Sequence, residues 1–215
     1  MANFDQLAER IHQEFETRTA ARDRALTQAR TLTRACAHAI RATHRNEDEL
    51  AQEHLQQAGQ LAKALRSELT PYPDLYHAGY TQDALKEYAE ATLVYAFVHG
   101  LEPPGYAELA LVPATYLQGL AEAAGELRRR CLDMLLNEHP VEAQRLLVLM
   151  DEIYAILVTM DYPDAITGGL RRLTDVARSI IERTRGDLTM SLRQESLEHS
   201  LRQLEARLEL PDSDA

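Results

Sequence analysis

Tryptophan is absent from this chain, phenylalanine occurs three times, and lysine is confined to positions 63 and 86. Only two cysteines are present, Cys36 and Cys131, with no CxxC and no Cys/His grouping around either. That spacing excludes a disulfide scaffold and a thiolate zinc site, leaving two reduced thiols. No stretch approaches the roughly 18 consecutive apolar residues that span a bilayer. The start, MANFDQLAERIHQEF, carries acids where a secretory signal would have an apolar core. A cytoplasmic protein with no membrane partner is expected. Alternating strand patterns and Asn-Gly or Asp-Gly hairpin signals are missing, as are a nucleophile elbow, P-loop, GxGxxG and HExxH. A net positive charge is missing too. Twenty-three basic residues against 34 acidic ones give −11 over 215 residues, which argues against a simple polyanion binder.

What is present is helix-forming sequence. Ala, Leu, Glu, Arg and Gln dominate between eight prolines, which fall where helical patterns start or stop. With 45% hydrophobic and 27% charged residues the chain is globular rather than disordered. The pattern predicts a helix over 3–45 with an apolar stripe at Leu26, Ala29, Leu32, Cys36, Ala39 and Thr43. A second follows over 47–69, with Asn46 as N-cap and Glu49 three residues on. Further helices are expected over 74–99 (ending at Gly100), 113–137 and 140–160. A last helical region to about 208 is expected to break near Gly168-Gly169 and again at Gly186. There is no repeat and no linker, so residues 1–210 read as one all-α domain, with 211–215 as a frayed tail. The segments LVYAFVHGL (93–101) and RLLVLMDEIYAILVTM (145–160) are apolar enough to be buried on most sides, partly between subunits.

Two charge features stand out. The first is a pair of acid pairs. Glu87 and Glu90 are three apart, Glu122 and Glu126 four apart, so each pair shares a helix face. No other charge lies between Glu90 and Glu102, and between Glu108 and Arg128 only Glu122 and Glu126 are charged. Acids embedded in apolar helix are costly unless compensated. Arg128, Arg129 and Arg130 could compensate them as ordinary ion pairs. A Mg²⁺ or Mn²⁺ ion held by oxygen ligands could do so equally, and would support phosphodiester hydrolysis. A di-iron carboxylate bundle needs Glu-x-x-His on two helices; only Glu9–His12 fits, in the wrong helix. Glu87-x-x-Glu90 also matches the first half of the MazG-type pattern. The ExxD half does not match, because Glu122 and Glu126 are four apart and position 125 is Gly; a metal-dependent helical nucleotide pyrophosphatase stands as the lesser alternative. His77 and His99 lie near the first acid pair, without a partner pattern that marks a base.

The second feature is a local reversal of charge. From Arg18 to Arg45 seven arginines face one acid, Asp23, a local balance of +6. Arg18, Arg22, Arg30, Arg34 and Arg41 could follow a phosphate backbone and stack on bases. The competing reading is a solvated face paired with acids of residues 47–68. Arginine outnumbers lysine 21 to 2 across the whole chain, so compositional bias also accounts for part of this run.

Three blocks carry a resemblance. EYAEA (87–91), VPATYLQGLAEAAGELRR (112–129) and LRRLTDVARSIIERTRGDLT (170–189) together, in this order and spacing, resemble the translin/Trax family over essentially the whole chain. The most specific part is GEL at 125–127 after Tyr-Leu-x-Gly at 116–119. The resemblance implies an all-α bundle of about seven helices that assembles into closed, octamer-like shells binding single-stranded RNA or DNA. It implies a metal-dependent endoribonuclease if the chain is Trax-like, and a non-catalytic binding shell if it is translin-like. The Trax-type carboxylates match Glu87, Glu90, Glu122 and Glu126, with Mg²⁺ or Mn²⁺ as cofactor. Glu122 stands where the family usually has Asp, and its longer side chain moves the ligand by about one C–C bond. Retention of all four acids makes the chain Trax-like, and a homo-oligomer is expected.

Overall fold

The computed structural model describes residues 4–208, so the expected tail over 211–215 lies outside the described residues. These residues form helices and no strand. Six are long: α1 (Phe4–His44), α2 (Asp48–Leu69), α4 (Gly79–Val98), α5 (Pro113–Leu136), α6 (Pro140–Val158) and α8 (Leu170–Leu208). Two are single turns, α3 (Pro73–Tyr76) and α7 (Asp164–Thr167). Proline opens α3, α5 and α6 at the first helical position, where its missing N–H costs nothing.

Two corners depart from expectation. Asn46 does not cap α2; it takes a left-handed φ of 58°. Glu47 N donates to Ala42 O and Asn46 N to Thr43 O, closing α1 in the paired pattern of a left-handed C-terminus. Gly100 closes α4 in the same way, through Leu101 N to Ala96 O. The single helix expected over 74–99 is divided at His77 and Ala78. Thr81 Oγ1 and Gln82 Nε2 donate to Leu75 O and Tyr76 O, satisfying the carbonyls that end α3. Near the end of the chain, Gly168 and Gly169 take φ of 60° and 85° and break the helix as expected. Gly186 does not: α8 runs through it, an exposed helical glycine costing about 1 kcal/mol relative to alanine.

The buried stripe of α1 is Ala21, Ala25, Ala29, Leu32, Ala35, Cys36 and Ala39; Leu26 sits half-buried beside it. Small residues let α1 approach α2 and α4 closely, with Leu65, Leu69, Ala84, Leu85 and Ala89 filling that core. A second core joins Leu93, Val94 and Phe97 of α4 to Leu127 of α5, Leu146 and Met150 of α6, and Ala177 and Ile181 of α8. Helix α4 therefore serves both cores, one with each half.

Within one chain α6 buries a single face. Ala143, Leu146, Met150, Ile153 and Leu157 face inward, while Val141, Val148 and Ile156 are exposed. The inward set recurs every three or four residues, which is one helix face. Exposed apolar residues also recur at Phe4, Leu7, Ile11 and Phe15 of α1 and at Met190, Leu197, Leu201 and Leu204 of α8. No helix among the described residues is long and apolar enough to cross a membrane.

Candidate metal centre and arginine face

Helices α4 and α5 meet face to face at Gly119. A Cβ there would lie 2.7 Å from Ala89 Cβ and 2.8 Å from Lys86 O. Only glycine permits this approach, and it falls between the two acids of α4. Glu87 and Glu90 therefore project beside Glu122, three residues beyond Gly119. One carboxylate oxygen from each of Glu87, Glu90 and Glu122 lies within 4.8 Å of the others. Gly125, the glycine of the GEL block, has no neighbour that a side chain would meet. The steric requirement belongs to Gly119.

Glu90 is the buried member, 8% exposed, and forms no hydrogen bond or ion pair among the described residues. Its carboxyl is pushed up to about 8, first by burial and then by the charges of Glu87, Glu122 and Glu126. Burial likewise raises Glu87. Glu126 behaves oppositely: the hydrogen bond with His44 holds its carboxyl below the usual range, against the effect of burial. His44 Nε2 is 2.6 Å from Glu126 Oε2, and the imidazole is buried with Nδ1 unpartnered. Arg130 holds the corner from outside, donating to His44 O and, at 2.6 Å, to Asn46 Oδ1.

Glu122 has a cation of its own. Lys86 Nζ lies 2.7 Å from Glu122 Oε1 and 3.9 Å from Glu87 Oε1. Burial lowers the ammonium's pKa, but Glu122 and the charges of Glu87 and Asp83 more than offset this and raise it. Of the arginines named as alternative partners, Arg128 pairs with Asp187 at 2.8 Å and Arg130 is on the α1 corner, while Arg129 acts on Glu126 through its charge. The sequence pattern alone passes over Lys86, although it adjoins Glu87, and over His44, which lies within the arginine run. The available signal is Lys86 as one of two lysines in an arginine-rich chain. His77 and His99 are not at the site; His99 pairs with Asp48 and stacks on Tyr95.

Three converging oxygens on two helices, one of them buried and in no ion pair among the described residues, suit a hard divalent cation of the Mg²⁺ or Mn²⁺ type. Glu126 accompanies this set rather than lying in it, because one of its oxygens is committed to His44.

The five candidate nucleic-acid arginines divide into two groups. Arg18 is bound to Asp74 at 2.5 Å and Arg22 to its neighbour Asp23. Arg24, outside that set, pairs with Glu68 at 2.6 Å. Arg30, Arg34 and Arg41 are exposed and have no acidic partner among the described residues. They lie four and seven residues apart on the side of α1 opposite its buried stripe, and Arg45 follows just past the helix end. His38 sits among them, its pKa lowered by desolvation and by Arg41, His54 and Arg34.

No family model matches the chain. An uncharacterized protein of Methanocaldococcus jannaschii is 30% identical over 189 residues, 87% of this chain and 83% of that protein. Among solved structures, that of an AfC3PO–duplex RNA complex is similar with a TM-score of 0.82 at 31% identity, covering 87% of this chain and 97% of that one. A crystal structure of AfC3PO gives 0.80 at 30% identity, with the same coverage. Apo-NeC3PO, at 22% identity and a TM-score of 0.78 over 89% of this chain and 98% of that one, is alike in fold. These C3PO structures are of translin/Trax type. The chain belongs to the translin/Trax family. In this translin/Trax chain Glu87, Glu90 and Glu122 converge at one α4–α5 crossing, with Glu126 beside them.

Proposed function

We propose that the protein is a Mg²⁺- or Mn²⁺-dependent endoribonuclease that binds RNA along α1 and cleaves it at the α4–α5 crossing. The observation that carries this reading is the convergence of Glu87, Glu90 and Glu122 oxygens within 4.8 Å. When bound, the metal supplies a polarised phosphate oxygen and a water of lowered pKa. The chain's residues do the rest. Glu87, Glu90 and Glu122 hold the ion, Glu90 giving up its proton to do so. His44 fixes Glu126 through Oε2, leaving Oε1 as an acceptor that can orient water. Arg30, Arg34 and Arg41 hold phosphates, and each guanidinium can also stack on a base. The longer side chain of Glu122 is compatible with this role because Lys86 restrains it at one oxygen.

RNA is the proposed substrate because the AfC3PO relative is described in complex with duplex RNA. Single strands remain the proposed form cleaved, since stacking arginines suit unpaired bases. The exposed stripes of α1 and α8 support a homo-oligomer, an octamer-like shell being the proposed form; light scattering after gel filtration tests it. A second reading, a non-catalytic RNA-binding shell, is favoured by the internal contacts Lys86–Glu122 and His44–Glu126, which already engage two of the four acids.

A cleavage assay on single-stranded and duplex RNA, with Mn²⁺ or with chelator, separates the two. The enzyme reading expects Mn²⁺-dependent cleavage that Glu90→Gln abolishes while binding persists. A wild type that binds RNA but cuts neither form in Mn²⁺ leaves the binding shell.

A further inference from the structure

We infer that Lys86 is the built-in second cation of the carboxylate cluster and restricts it to one divalent ion per chain. The inference rests on the metal-site reading above and adds a stoichiometry to it.

Lys86 Nζ is 2.7 Å from Glu122 Oε1 and 3.9 Å from Glu87 Oε1, and its side chain is 16% exposed. It is thus in reach of two of the three candidate ligands and largely shielded from solvent. The charged groups acting on the cluster are Asp83, Lys86, Glu87 and Glu90 from α4, and Glu122 and Glu126 from α5. Arg129 acts on Glu126, which His44 of α1 also engages. Apart from Glu126, whose Oε2 is bonded to His44, the three candidate ligands carry three negative charges when ionised. Lys86 offsets one, and a single divalent ion offsets the other two.

A second divalent ion beside the ammonium would leave two positive charges in excess on the three acids, against one where the ammonium is gone. Two-metal phosphodiesterase sites hold their ions about 3.5–4 Å apart and share carboxylates between them. The carboxylates available for sharing here are Glu87 and Glu122, the two beside the ammonium. A second ion bridging them would stand against Lys86 with little water between, where repulsion is weakly screened. The ammonium is also a compact point charge, able to occupy one ion's place between two acids.

The test is a Mn²⁺ titration of the full chain, followed by calorimetry and electron paramagnetic resonance, for wild type, Lys86→Met, Lys86→Arg and Glu90→Gln. Melting in chelator checks folding; if Lys86→Met does not fold, Lys86→Gln removes the charge while keeping a donor toward Glu122. Wild type should take up one Mn²⁺ per chain with an uncoupled signal, and Lys86→Arg should do the same. The neutral variant should take up two, the first about tenfold more tightly than in wild type. An exchange-coupled Mn²⁺ pair in wild type overturns the inference. So does a folded neutral variant with wild-type stoichiometry and affinity. In both cases Glu90→Gln still abolishes binding and the metal-site reading stands. If wild type and Glu90→Gln alike take up no Mn²⁺, the metal-site reading falls and the inference with it.

Discussion

Gly119 of α5 lies against Ala89 of α4 so closely that a Cβ on Gly119 would stand 2.7 Å from Ala89 Cβ. Backbone is equally near, with Lys86 O at 2.8 Å and Glu90 N at 3.0 Å, so no side-chain rotation can relieve a substitution. Gly119→Ala must push the helices apart where the acid pairs converge. We expect a loss of about 1–3 kcal/mol in stability, as for other overpacked sites. Mn²⁺ affinity should fall as well, because Glu122 moves with α5. Gly125→Ala is the control. It meets nothing, and in mid-helix should be neutral or stabilise by about 0.4–1 kcal/mol. Chemical denaturation together with Mn²⁺ titration reads both variants; equal behaviour of the two would refute the spacer role of Gly119.

Glu90 makes the metal-free fold sensitive to pH. Its carboxyl rises to about 8 in the folded chain, against about 4.3 in an unfolded one. Folding therefore takes up a proton between those values. This contribution is fully present below the unfolded pKa and is lost as pH rises through about 8, with a slope of up to about 1.4 kcal/mol per pH unit. Glu126 has the opposite sign, since its carboxyl is depressed: its contribution is present above the unfolded value and lost as pH falls through the folded one. Urea melts in chelator between pH 5.5 and 8 should show declining stability, and Glu90→Gln should flatten the decline. A bound metal must displace the same proton. Mn²⁺ affinity should therefore climb by up to about tenfold per pH unit across this range. A pH-independent affinity would place the metal away from Glu90.

His44 and Glu126 connect the end of α1 to α5 across 82 residues of sequence. His44→Ala should cost about 1.5–3 kcal/mol for the lost bond to a charged group, with the imidazole-sized gap adding to it. His44→Gln retains a donor and should recover part of that. If Glu126 is held in place by this bond, His44→Ala should also weaken RNA cleavage more than RNA binding. Equal loss of both would leave His44 with a structural role only.

How much of this was legible in sequence depends on distance along the chain. The acid pairs were, because three- and four-residue spacing fixes a shared helix face regardless of tertiary context. Helix starts at Pro113 and Pro140 and the stop at Gly100 were, because those residues restrict the backbone locally. Asn46 was not, since the same residue type favours a helix start and a left-handed helix end, and both fit a corner between two helices. Gly186 misled because the cost of one exposed helical glycine is smaller than what packing of Ala177, Ile181 and Leu188 returns. Lys86 and His44 could not be assigned, since their partners are reached only by folding α1 and α4 against α5.

The exposed arginines of α1 yield a prediction independent of the carboxylates. Arg30, Arg34 and Arg41 lack acidic partners among the described residues, whereas Arg18 and Arg24 are bound to Asp74 and Glu68. A guanidinium already engaged by a carboxylate must break an ion pair before it meets a phosphate, whereas Arg41 contacts only the His38 ring, so the set without acidic partners should dominate RNA affinity. Replacing Arg30, Arg34 and Arg41 by Gln should weaken binding and flatten its salt dependence, by about 0.7 in log–log slope for each phosphate of a single strand that is no longer neutralised. Arg18→Gln and Arg24→Gln should leave the slope nearly unchanged while lowering stability slightly, as exposed ion pairs do. Fluorescence anisotropy at low and at high salt measures both sets. If the paired arginines carry the salt dependence instead, RNA does not follow the outer side of α1, and the local excess of arginine reflects the chain's general preference for arginine over lysine.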